Sequence, residues 1–141
     1  MEFILYGISH IEKDIIKISI SNAESLIALI SDVVHISVWS AENYLYNRMN
    51  DLNPEEVNKA KKTTDELEQL LKKASTKYEN AKEGWERCDK ILSEGTLSKT
   101  IFEEASNKTD EFSNFSNKVM EKCESIRQEM LQNIKNSGVK P

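Results

Sequence analysis

Glycine, proline, histidine and cysteine are all scarce in this chain: four Gly, two Pro, two His and two Cys among 141 residues. So few turn formers argue against many short strands joined by tight hairpins, and favour long uninterrupted helices. The two histidines and two cysteines are not set at metal-ligand spacing, since neither a Cys-x-x-Cys nor a His-Glu-x-x-His run occurs. A phosphate-cradling glycine loop and a Gly-x-Ser-x-Gly nucleophile turn are also missing. Basic charge is not in excess: the formal charge is −5, the isoelectric point is about 5.2, and Lys and Arg are interleaved with Asp and Glu. Such a surface does not gather phosphates, so nucleic acid is not expected as a partner. No cationic stretch precedes the apolar opening "MEFILYGISHIEK", which disfavours a secretory signal.

These absences leave an all-α chain whose length suits one domain. Helix starts are marked by an oxygen-bearing cap with Glu three residues on, at Ser9–Glu12, Ser21–Glu24, Asn53–Glu56 and Thr100–Glu103. Pro54 strengthens the Asn53 start, because the first helical position needs no N–H. Gly95 and Gly138 stand where helices would end on a left-handed residue. The expected architecture is an elongated antiparallel bundle of three long helices: an apolar helix over 22–50, then a coiled-coil-like hairpin of 54–94 and 100–136, preceded by an N-terminal arm or short helix over 1–20. The hairpin seam alternates spacings of three and four: Val57, Ala60, Thr64, Leu67, Leu71, Ala74, Tyr78, Ala81, Trp85, Cys88 and Leu92 on one helix. Phe102, Ala105, Thr109, Phe112, Ser116, Val119, Cys123, Ile126 and Met130 form the other side. Registering the hairpin about residue 97 brings Trp85 to Thr109 and Phe112, and Tyr78 to Phe115 and Ser116. The same register offsets Cys88 and Cys123 by roughly 25 Å along the axis, too far for a disulfide, and makes both buried thiols. Gly84 beside Trp85 reads as room for the indole or a slight bend.

The stretch "ESLIALISDVVHISVWSAE", residues 24 to 42, is apolar on two faces. One stripe runs Ile27, Ile30, Val34, Val38, Ala41, Leu45 and Leu52, and the second runs Leu26, Leu29, Val33, Ile36 and Trp39. A surface helix needs one apolar stripe, so the second must face the N-terminal segment, a second copy or another partner. Ser25 to Ala41 falls at the bottom of the spanning range of about 17–25 residues, and Asp32 near its centre costs roughly 2.5–3.5 kcal/mol on insertion, which disfavours a membrane span.

The expected function is therefore that of a non-enzymatic protein–protein interaction module, oligomerising or docking through Leu26, Leu29, Val33, Ile36 and Trp39, with Tyr44 and Tyr46 at the rim. The same list also reads as internal core. Asp32 and His35, one turn apart, form a pair that would make such docking pH-sensitive. Carboxylates elsewhere lie on solvated faces alternating with Lys. No catalytic, cofactor, metal or small-molecule site is expected, and a metal-binding bundle or a membrane-associated helix ranks behind the interaction reading. Reduced thiols and no signal suggest the cytoplasm, or export without a classical signal peptide. Small acidic helical proteins include type VII secretion partners and toxin-neutralising immunity or chaperone-like proteins, a similarity of class alone. "VWSAEN" has Ala41 where those secretion hairpins carry the glycine of a Trp-x-Gly turn, so membership is not assigned.

Overall fold

No glycine or proline interrupts the chain between Gly7 and Pro54, and the structure, a computed structural model, builds residues 10–48 of that stretch as one helix. It describes the backbone of residues 10–136 and the side chains of residues 13–132. Helix α1 runs His10–Arg48, a single 3-10 turn follows at Met49–Asp51, and α2 (Pro54–Glu94) and α3 (Lys99–Asn136) complete a bundle of three helices packed against each other. Among the described residues there is no strand.

Residues 10–20 therefore do not form a separate arm or short helix but belong to α1. The period-two pattern of "IIKISIS" yields to packing: Ile16 and Ile20 reach the core, Ile15 and Ile18 are left exposed, and Ser21 sits mid-helix rather than at a start. Tertiary burial outweighs the weak strand preference of isoleucine. Residues 1–9 and Gly138 lie outside the described residues. At α2 the Asn53 side chain accepts from the Glu56 N–H at 2.9 Å, as the Asn-Pro start requires. At α3 the cap is Ser98, whose hydroxyl lies 3.4 Å from the Ile101 N–H, and not Thr100. Gly95 ends α2 with its N–H still bonded to the Ile91 carbonyl, and its φ lies outside the left-handed range.

The chain divides into two compact units, each holding a segment of all three helices. The first combines residues up to 31 with 74–115. Its core joins Ile20 and Ile27 of α1 to Ala81, Trp85, Cys88 and Leu92 of α2, Leu97 of the turn, and Ala105 and Phe112 of α3. The Trp85 indole N–H donates to Thr109 Oγ1 at 2.7 Å, and that hydroxyl in turn donates to the Ala105 carbonyl at 2.9 Å. Phe102 stands edge-on to Trp85 at 5.3 Å between centroids, and Tyr78 meets Phe112 at 5.7 Å. The second unit combines residues 32–73 with those from 116 onward. Val34, Val38, Ala41 and Leu45 of α1, Ala60, Thr64 and Leu67 of α2, and Ser116, Val119, Cys123 and Ile126 of α3 are buried there. Ser116 is fully buried at a seam position suited to alanine, and Thr64 returns its hydroxyl to the Lys61 carbonyl at 2.8 Å.

Gly84 is needed by the helix contact rather than by the indole. A Cβ built there would stand 3.2 Å from the Cα and 3.3 Å from the Cβ of Ala105, so α2 approaches α3 backbone-to-backbone at this point. Gly84→Val is expected to destabilise the chain by about 1–3 kcal/mol, because its branches must force that contact apart. A urea midpoint unchanged by this substitution would show that the close approach is not required.

Candidate interaction face

Every residue of the first predicted stripe of α1 is buried or half-buried, and every residue of the second is exposed. The helical period does the sorting: adjacent residues differ by about 100° around the axis, so Val33 and Val34 point to different surroundings. Val34 is 1% exposed and Val33 40%. Leu26 (51%), Leu29 (60%), Ile36 (64%) and Trp39 (68%) share the outer face. The reading of this list as internal core is overturned within the described residues. Tyr46 is exposed as well, whereas Tyr44 is half-buried and lies beneath the Arg48 guanidinium at 5.6 Å. Ile15 and Ile18, which the sequence pattern assigned to an arm, extend the same exposed apolar set.

The outer rows of the other helices look different. On α2 they carry Lys59, Lys62, Glu66, Lys73, Glu83, Arg87 and Lys90, and on α3 Glu104, Glu111, Lys118 and Glu121, all exposed. Ion pairs tie some of them together, as at Lys122–Glu66 (2.8 Å) and Arg87–Glu104 (3.8 Å). Such pairs at the surface contribute about 0–1 kcal/mol each, and their role is mainly solvation of those faces. A shallow groove lined by Lys62, Glu66, Leu70, Lys73 and Lys122 is open to solvent and crossed by the first of these pairs.

Asp32 and His35 are both exposed on α1. Among the described residues, no group of three or more His, Cys, Asp or Glu is placed to share a metal ion. Burial pushes the Cys88 thiol up to about 11 and raises Cys123 as well, so both stay protonated and poorly nucleophilic at neutral pH. Two Asn-x-Ser/Thr sequences, Asn107-Lys108-Thr109 and Asn114-Phe115-Ser116, lie within α3, with Thr109 bonded to Trp85 and Ser116 buried.

One titratable group was not legible in the sequence. Burial in the second unit pushes the Glu42 carboxyl up to about 7, helped by a hydrogen bond to the Glu68 side chain and by that group's negative charge. Glu42 directly follows Ala41 in the buried stripe, which is the local signal; its partner, 26 positions on in α2, gives none. The folded chain thus holds this proton more tightly than the unfolded chain, whose carboxyl titrates near the ordinary 4.5. The associated stability is complete below that value and is lost as pH rises through about 7. Solvent screening limits it to about 1 kcal/mol. Glu42→Gln is expected to remove that much of the decline in denaturation midpoint between pH 5 and 8, and an unchanged slope would rule the pair out.

No protein-family model, curated protein or solved structure matches the chain.

Proposed function

We propose that this chain is a non-enzymatic helical interaction module that oligomerises or docks on another protein through the outer face of α1. The observation that supports this most is Leu29, Ile36 and Trp39, each with more than half its surface in water, on α1, which among the described residues carries every exposed large apolar side chain except Leu131 of α3. Large apolar and aromatic side chains grouped on a surface are those that supply binding energy when covered. An immunity-like or chaperone-like role, in which the module covers and neutralises a partner, would use the same face. Asp32 and His35 border it, so association that weakens as His35 charges is part of the proposal.

The test is photocrosslinking of the full chain in cells that make it, with a benzophenone amino acid in place of Ile36 and, as control, in place of the exposed Lys90. Protein adducts from position 36 and none from position 90 are expected. Equal yields, or none from either, would sink the reading. A second reading has its own support: α1 contains a window of mean hydropathy 1.3, long and apolar enough to cross a membrane. Its test is flotation with liposomes, where the interaction module stays at the bottom of the gradient and a membrane-associated chain rises.

A further inference from the structure

The polar contacts that join α2 to α3 differ in kind from those that join α1 to α2. In the first unit the Trp85 indole is bonded to Thr109, Gly84 lets the two backbones meet at Ala105, and Arg87 pairs with Glu104. In the second, Lys122 pairs with Glu66 at 2.8 Å and Lys59 with Glu129 at 3.7 Å. At two places where α1 meets α2, by contrast, carboxyl faces carboxyl. In the second unit the Glu42 hydroxyl donates to the Glu68 carboxylate, and in the first Glu24 faces Asp89 and Glu86, with Lys82 as the opposing charge. We infer that α1 is the detachable helix: it opens from the α2–α3 hairpin while the hairpin stays closed, and in the second unit loss of the Glu42 proton promotes that opening.

Two carboxyls in hydrogen-bond contact share one proton, so the Glu42–Glu68 contact holds α1 to α2 only while that proton is present. The groups around Glu42 leave this dependence in place. From α2 the charged neighbour is Glu68 itself. From α3 come the Cys123 thiol, which burial keeps protonated, and the Arg127 guanidinium, which donates to the Ser40 hydroxyl two residues earlier and also pairs with Glu124. Burial first, then Glu68, pushes the Glu42 carboxyl up to about 7, so the contact is complete in acid and is lost through neutrality. Two carboxylates then stand side by side in the closed form, and opening separates them. The hairpin responds differently, because the hydrogen bond and charge of Lys122 hold Glu66 below the ordinary 4.5 and that pair persists as pH rises. Opening in contiguous segments is the usual behaviour of small domains. Here it would uncover Val34, Val38 and Leu45, a stripe distinct from the outer face, so the inference does not rest on the docking role proposed above.

The test is hydrogen exchange of the full chain, followed by mass spectrometry between pH 5 and 8, with each peptide's rate divided by the rate of an unstructured peptide at the same pH. Peptides from residues 32–48 are expected to be roughly tenfold less protected than those from the α2 and α3 segments of the same unit. Their opening should increase about fivefold from pH 5 to 8. Glu42→Gln should remove that increase while leaving α1 less protected than the hairpin. Glu68→Gln, a change at an exposed position of α2, should shrink the increase without abolishing it, since burial of Glu42 remains, and it keeps the test usable if Glu42→Gln does not fold. Equal protection of α1 and the hairpin at every pH would show one cooperative opening and overturn the inference. An increase that survives Glu42→Gln, or that Glu68→Gln leaves whole, overturns the carboxyl pair as its cause.

Discussion

Trp85→Ala is expected to lower stability by about 3–5 kcal/mol, the range for emptying a buried aromatic site. The indole is 4% exposed, and its neighbours in the core include Ala81, Cys88 and Ala105, none long enough to collapse into the space. Its loss also leaves the Thr109 hydroxyl without the indole N–H it accepts and removes the edge contact with Phe102. Aromatic pairs of this geometry add about 0.5–1.5 kcal/mol beyond burial. Domains of this size have about 5–15 kcal/mol in total, so the variant sits near the limit of folding. Urea denaturation followed by circular dichroism is the measurement, and a loss below about 1.5 kcal/mol would show that the first unit does not depend on this side chain. Thr109→Val separates the components: it keeps the volume, removes the acceptor, and should cost the smaller amount of about 1–3 kcal/mol. Since Trp39 is exposed, the emission of Trp85→Ala should also shift to the red.

Trp85 and Thr109 show why so much of the hairpin was legible. A seam with spacings of three and four is a local code, and the single turn near residue 97 sets which positions meet. The expected contact of Trp85 with Thr109 is present, and every seam residue of α2 and α3 is buried or half-buried. Tyr78 chose Phe112 over Phe115, a shift of less than one turn that depends on how the rings settle. Residues 10–20 were less legible, because isoleucines at alternate positions suit a strand as well as a helix whose core pairs with distant elements. Glu42 escaped notice for a related reason: its carboxyl meets Glu68 only when α1 and α2 are packed. The outer face of α1 was visible from the start as a second stripe, but exposure is a property of the packed bundle. Only the structure could separate Leu29 from Ile27 by their surroundings.

That separation leads to the sharpest pair of substitutions. Val34→Asp is expected to cost more than about 4 kcal/mol and prevent folding of the second unit, because a carboxylate with no partner would enter a core that also holds Val38, Leu67 and Val119. Val33→Asp, one residue earlier, adds the same carboxylate on the water side and should change the stability of the monomer by no more than about 0.5 kcal/mol. Its consequence falls on association instead: the folded variant should no longer crosslink through position 36. Both effects follow from a rotation of about 100° between neighbouring side chains. If Val33→Asp proved as damaging as Val34→Asp at concentrations too low for any assembly, the outer stripe would be part of the chain's own core. A folded, monomeric Val33→Asp beside an unfolded Val34→Asp would assign one stripe of α1 to the fold and the other to its partner.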